Sequence, residues 1–387
     1  MGDNDVIGEG GFGCVFRKPL KCKNKTRKKI PNGNVSKLLL KRHALTEYDT
    51  SMRIYDIVKK IPNHSRYFIL HDMSICDPYQ IPQKLKETMK KCKHLLNKDD
   101  IETFNKRILN GEFLQLNIPY GGKSMVELWE RMNFSKFRRN KDLQRDFSSA
   151  IDGIVVLLEN AVVPMNSMGV YHNDIKSDNV LYSYNKKRNE YEYRIIDWGL
   201  SAVTDDSSKI IDISNRSFQW NAPLIAPLML DGMYSNIEEI AGLCKGKNAG
   251  EVSVLMETHM VNISGHLDYI EDKLLAIIGK GNMSDKTIGD LLSNNVDEYI
   301  YRYGTNNRAK DDFVTDVLSH NVDVIGIISI FIGLLVKNYD SGPANRSHPI
   351  FKYLKKILWK YMYSPEYVAV RIPISTLIKD LNKMKYM

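Results

Sequence analysis

Residues 171–181 read Tyr171-His172-Asn173-Asp174-Ile175-Lys176-Ser177-Asp178-Asn179-Val180-Leu181, and residues 195–199 read Ile195-Ile196-Asp197-Trp198-Gly199. The first run has the form H-x-D-φ-K-x-x-N, with φ apolar. The second is two apolar residues, an aspartate, an aromatic residue and a glycine. Phosphoryl transfer from a nucleotide needs a carboxylate that orients a hydroxyl and accepts its proton. It also needs a cation at the γ-phosphate and oxygen ligands that reach Mg²⁺ from two directions. Asp174, Lys176, Asn179 and Asp197 supply these parts in that order. The plainer alternative, an Asx turn followed by an unrelated strand end, requires two spaced motifs to coincide in order.

The two runs together resemble the catalytic loop and the Mg²⁺-binding loop of eukaryotic-type Ser/Thr protein kinases. The resemblance implies an α+β, bilobal fold: a small antiparallel-sheet N-lobe over residues 1–119 and a larger helical C-lobe over residues 120–387. It implies ATP and Mg²⁺ as cofactors and protein hydroxyls as acceptors. Asp174 and Lys176 would be catalytic, and Asn179 and Asp197 would hold metal. Lys176, two residues after Asp174, fits the Ser/Thr version of the family. The insertion placement, the Val35-Ser36-Lys37 strand and the D-W-G loop look like kinases of large cytoplasmic DNA viruses. That likeness implies host cytoplasm or virion as the location, and the abundance of Lys, Asn, Ile and Tyr fits an AT-rich genome.

Toward the N-terminus, Gly8, Gly10 and Gly13 form G-x-G-x-x-G, followed by Val15. Glycines let a backbone approach phosphates closely and donate N–H groups to them. In dinucleotide-binding folds a helix follows this pattern; here a basic loop and strand-like residues follow. By the resemblance, Gly8, Glu9, Gly10, Gly11, Phe12, Gly13 and Val15 bind the nucleotide. Val35-Ser36-Lys37-Leu38 reads as a buried strand with one lysine. Lys37 falls where the family holds the α- and β-phosphates, and Lys41 is the competing choice. A helix is expected over 44–61, with Leu45, Met52, Tyr55 and Val58 as its apolar stripe. Glu47 near its start is the candidate partner of Lys37, with Asp49 and Asp56 as alternatives. Residues 67–70 and 113–116 read as strands, and 71–110 as a polar, Lys-rich insertion. Asn117-Ile118-Pro119-Tyr120-Gly121-Gly122 resembles the hinge between kinase lobes. Its glycine pair sets a register with Leu116 behind the adenine and Asn117, Ile118 and Pro119 beside it. Pro119 has no N–H to donate there.

Toward the C-terminus, apolar residues at 143, 147, 151, 154, 155, 158, 162 and 165 keep a 3.6-residue period, which predicts the helix that delivers the catalytic loop. Residues 200–220 are polar and hold Ser207, Ser208, Ser214 and Ser217. Trp220-Asn221-Ala222-Pro223 sits where kinases bind the substrate backbone but lacks the family's A-P-E ending. Residues of about 228–316 read as a helical insertion. Asp323-Val324-Ile325-Gly326 resembles the start of the central helix whose aspartate anchors the catalytic loop, with Asn321 as an alternative register. Many kinases carry an arginine before the catalytic aspartate, where it pairs with a phosphate on the activation segment. Asn173 stands there, so activity is expected without that phosphate.

Composition bounds the rest. The chain has 387 residues, 43 % hydrophobic and 26 % charged, the balance of a globular protein with a normal core. A net charge of +9 favours acidic partners or anionic ligands. The eight basic side chains of residues 17–29 read as a solvated loop, or as a patch for an acidic partner. No aromatic residues interleave them, so no obligate nucleic acid is expected. The five cysteines contain no C-x-x-C pair and read as free thiols in a reducing compartment, with a site of Cys76, Cys92 and His94 or His71 as the alternative. The apolar run 322–336 contains Asp323 and is short for a bilayer, so it reads as a central buried helix and no membrane partner is expected. A small-molecule kinase and a non-catalytic scaffold are the competing functions.

Overall fold

Asn34-Val35-Ser36-Lys37-Leu38-Leu39-Leu40 combines a β-branched residue with leucines on both faces, as a strand covered on both sides requires. In the computed structural model, which describes residues 6–10, 13–23, 33–96, 99–204, 216–260, 262–279 and 287–387, it is the central strand of a five-stranded sheet. The strands are β1 (Val6–Gly10), β2 (Gly13–Phe16), β3 (Asn34–Leu40), β4 (Ser74–Cys76) and β5 (Phe113–Pro119), in the order β1-β2-β3-β5-β4 and antiparallel throughout. The chain divides into two compact units, Met1–Gly122 and Lys123–Met387. The fold is α+β, with this small antiparallel sheet in the first unit and a largely helical second unit.

In the first unit, Val15 lies opposite Lys37, Lys37 opposite Leu116, and Leu116 opposite Ile75. Direct partners share a face. This face packs on the helix α1 (Lys41–Val58) through Leu39, Ala44, Leu114 and Leu116. The other face carries Cys14, Phe16, Leu38 and Phe113. It is covered by Leu85, Met89, Leu95, Ile101, Phe104 and Ile108, all from the segment expected to be a polar insertion. With Ile81 and Cys92, that segment supplies eight of the fourteen buried residues clustered on this face.

Three expectations need correction here. The buried stripe of α1 is Ala44, Glu47, Ser51, Ile54 and Val58, and Leu45 is 41 % exposed. Two polar residues on the buried face hid the true phase. Residues 67–70 are buried but lie outside the sheet; its fourth strand is Ser74–Cys76. The cysteines are not all free. Cys14 is bonded to Cys92 and Cys22 to Cys76, with Cα–Cα distances of 5.8 and 5.9 Å, and buried Cys244 is a free thiol. The partners are 78 and 54 residues apart, so no spacing signal marks them. The reading of a reducing compartment from free thiols loses its support. The Cys76–Cys92 metal alternative falls with it, because each cysteine is paired elsewhere.

In the second unit, β6 (Lys123–Ser124), β8 (Val180–Asn185) and β9 (Glu190–Ile195) form a sheet in the order β6-β8-β9, and β7 (Val170–Tyr171) pairs with β10 (Ala202–Val203). The helix Lys141–Leu157 is N-capped by Asn140, whose side chain accepts from the N–H groups of Asp142 and Leu143 at 3.1 Å. Helical structure continues to Ser167, and Phe147, Ile151, Ile154, Leu158, Val162 and Met165 are buried along it. The helix Ser319–Ser329 is almost wholly buried. The stretches Lys141–Ser167 and Asn307–Asp340 are long and apolar enough to cross a membrane, and 56 % and 89 % of their most apolar windows are packed inside the unit. The segment expected as a helical insertion contains the helices Ile237–Cys244, Ala249–His259 and Ile288–Tyr303. The last two start at reciprocal capping boxes, Asn248 with Glu251 and Thr287 with Asp290.

Candidate functional site

The H-x-D loop is held from below by Asp323. Its carboxylate accepts the backbone N–H of His172 at 2.8 Å and that of Asn173 at 2.9 Å. Burial pushes the Asp323 carboxyl up to about 7, while those two donors pull it down. Ser329 adds a hydrogen bond from its hydroxyl to the carbonyl of Ile175 at 3.2 Å. The fully buried ring of His172 joins the two motifs. Its Nδ1 accepts from the N–H of Asp174 at 3.3 Å, so Nε2 carries the proton and donates to the carbonyl of Ile196 at 2.9 Å. Burial lowers the His172 pKa, which keeps this neutral tautomer. Trp198 packs edge-on against the ring, with centroids 4.7 Å apart, and the N–H of Ile196 donates to the carbonyl of Asn179 at 3.0 Å. The residue before Asp197 is thereby tied to Asn179.

Both loops turn through left-handed backbone. Asn173 has φ +62° and Asp197 has φ +68°. Such conformations are uncommon outside glycine and persist where the surroundings enforce them. Asn173 is fixed partly by its own side chain, which donates to the carbonyl of Leu200 at 3.2 Å.

The carboxylate of Asp174 is surrounded by donors. Oδ2 accepts from Lys176 at 2.9 Å and from the amide of Asn179 at 3.0 Å. Oδ1 accepts from the amide of Asn221 at 2.9 Å and from Arg216 at 3.4 Å. Burial raises the Asp174 pKa, but the Lys176 and Arg216 charges and the hydrogen bonds outweigh it and hold the carboxyl below its ordinary value. The group is a charged acceptor at neutral pH. The Asn179 amide also donates to the carbonyl of Asp174 at 2.8 Å, so its side-chain oxygen is the atom it can offer a cation. Mg²⁺ is usually held by one or two side-chain oxygens together with phosphate and water. Asn179 and Asp197 fit that pattern. Among the described residues no cluster of three or more His, Cys, Asp or Glu forms an all-protein cage.

Compared with known proteins, the chain matches no family model and no curated sequence.

In the first unit, Lys37 Nζ lies 2.9 Å from both carboxylate oxygens of Glu47, and both side chains are largely buried. A separation of ten residues suffices because α1 begins at Lys41, directly after β3. The competing residues fall elsewhere: Lys41 and Asp49 are exposed, and Asp56 pairs with Lys59 at 2.6 Å. In the β1–β2 hairpin, Gly8 lies opposite Val15, Glu9 opposite Cys14 and Gly10 opposite Gly13. Gly13 is required by packing, because a Cβ there would stand 2.6 Å from the carbonyl oxygen of Leu38. Gly8 has ordinary space around it. Gly11 and Phe12 lie outside the described residues.

Leu116 and Ile118 lie opposite Lys37 and Val35, on the face that carries Lys37. Asn117 and Pro119 are on the reverse face, opposite Ser36 and Asn34. The Asn117 side chain is engaged by Gln115 at 2.6 Å and Ser74 at 3.3 Å, so only its backbone can serve a ligand on the Lys37 face.

Sequence reasoning placed Asp323 correctly and gave Asn221 a position but no role. Asn221 and Arg216 reach Asp174 from 47 and 42 residues away, and no local pattern encodes such contacts.

Proposed function

We propose that this chain is an ATP- and Mg²⁺-dependent Ser/Thr protein kinase with a two-lobed kinase fold. The first unit would be the nucleotide-binding lobe and the second the phosphoryl-transfer lobe. The observation that carries this reading is the Asp174 carboxylate, held ionised with Lys176 and Asn179 on one oxygen and Asn221 on the other. Asp174 orients the acceptor hydroxyl and takes its proton. Lys176, 2.9 Å from Asp174, would exchange that carboxylate for the γ-phosphate. Asn179 and Asp197 would hold Mg²⁺, which when bound neutralises phosphate charge. Lys37, steadied by Glu47, is assigned to the α- and β-phosphates.

The test is transfer of radiolabelled phosphate from ATP to basic, acidic and casein-like proteins, with small hydroxylated metabolites alongside. The wild type should label protein. Asp174→Asn should bind ATP and transfer at least a hundredfold more slowly, and Asp197→Ala should lose Mg²⁺-dependent nucleotide binding. Near-normal transfer by Asp174→Asn would overturn the assignment.

A further inference from the structure

The helical insertion of the second unit sends one turn back to the segment that touches Asp174. The N–H of Phe218 donates to the carbonyl of Ile263 at 3.0 Å, and the N–H of His266 donates to the carbonyl of Phe218 at 2.8 Å. Both backbone polar groups of Phe218 are therefore taken by the insertion, and its side chain is fully buried. Gly265, between those contacts, has φ +53°. A Cβ there would stand 2.2 Å from the carbonyl oxygen and 2.9 Å from the nitrogen of Phe218. The two segments meet closely enough that only a glycine fits. The turn has its own footing: Ile263 and Leu267 are buried, and Ser264 donates to Glu257 in the helix Ala249–His259 at 3.1 Å.

Phe218 lies between Arg216 and Asn221, the two residues that reach Oδ1 of Asp174. Fixing Phe218 fixes both. We propose that the Ile263–His266 turn is a positioning clamp of the acceptor site, holding residues 216–221 against Asp174 without a phosphate on the segment. The proposal rests on the kinase reading and names the regulation of that same site. Elsewhere in that family a phosphate ordering the segment pairs with an arginine before the catalytic aspartate, and here that residue is Asn173. Arg216 instead reaches the carbonyl of Asn173 and the carboxylate of Asp174 from the segment itself. His266 is close enough to feel the charges of Lys176, Arg216 and Asp174: burial lowers its pKa first, the two cations lower it further, and Asp174 opposes them.

The test uses the full chain, shown by mass spectrometry to be unphosphorylated. Wild type, Gly265→Ala and Gly265→Asn are assayed with a protein acceptor, and amide hydrogen exchange is followed over residues 216–222. Asparagine tolerates positive φ but carries the same Cβ. The clamp predicts at least a tenfold fall in kcat/KM for the protein acceptor in both variants, with KM for ATP unchanged. It also predicts a protected Phe218 amide in the wild type that exchanges faster in both variants, while amides of the helix Lys141–Leu157 do not change. Wild-type turnover in both variants overturns it, and so does full rescue by asparagine. An unprotected Phe218 amide in the unphosphorylated wild type overturns it without any variant, which covers the case of a variant that does not fold. Failure of the kinase reading looks different: no acceptor is labelled by the wild type, or Asp174→Asn labels as well, while the exchange result still reports on the clamp.

Discussion

Replacing Asn221 with alanine removes two hydrogen bonds from one amide nitrogen, to Asp174 Oδ1 at 2.9 Å and to the carbonyl of Ile175 at 3.2 Å. Asn221 is 2 % exposed, so water does not readily replace either. A hydrogen bond to a charged group contributes about 1.5–3 kcal/mol. Arg216 stays on the same oxygen, but at 3.4 Å it compensates only in part. A loss of about 1.5–2.5 kcal/mol, expressed where the carboxylate must be aimed, corresponds to roughly a 10- to 70-fold fall in kcat. The assay is steady-state transfer to a protein acceptor with ATP and acceptor varied separately, run well below the variant's melting temperature. KM for ATP should not move. Asn221→Asp should be worse, since a second carboxylate beside Asp174 raises its pKa and moves the acid limb of the rate profile upward. If Asn221→Ala stays within threefold of the wild type, the amide does not hold the reacting carboxylate.

Three further outcomes follow from the same geometry. Lys37→Met should abolish transfer and destabilise the first unit by about 3–5 kcal/mol, because Glu47 is left buried without its cation; the double variant with Glu47→Leu should recover the melting temperature but not the activity, and recovery of both would remove Lys37 from the site. Pro119→Ala should strengthen purine-mimicking inhibitors by about 0.5–1.5 kcal/mol through a restored N–H, and unchanged titration calorimetry would show the hinge register to be wrong. The His172 pKa is lowered by burial, so its folded state contributes stability above about 6.5 that is lost as pH falls below it. The melting-temperature gap between wild type and His172→Asn should shrink from pH 7 to pH 5, and a constant gap would contradict the neutral buried ring.

Legibility in the sequence followed the range of the contacts. The two loops that meet at His172 were readable as a pair because each motif is compressed into consecutive residues, eleven in one and five in the other. Asp323 was readable as the one acid in the apolar run 322–336, although the helix that carries it begins earlier, at Ser319. Glu47 was readable as an acid near a helix start, but the phase of its helix was not, since Glu47 and Ser51 occupy the buried stripe while Leu45 faces out. The segment 71–110 looked like an ornament because its apolar residues are scattered among lysines; only the sheet face they cover gives them a common direction. Asn221, Arg216 and the Gly265 turn act across 42 or more residues of chain, where side-chain type alone carries no address.

The two disulfides have a topological consequence. The ring closed by Cys22 and Cys76 lies wholly inside the ring closed by Cys14 and Cys92. Nested rings restrict a denatured chain strongly, and links spanning 78 and 54 residues, taken singly, each remove conformational freedom equivalent to about 4 kcal/mol. Even fully denatured, an oxidised first unit keeps β2 tethered to the segment that covers it, whereas the described residues of the second unit carry no such link. A reducing agent in the buffer therefore changes which polymer is being studied: it converts a doubly looped chain into a linear one while leaving Asp174 and the side chains around it covalently untouched.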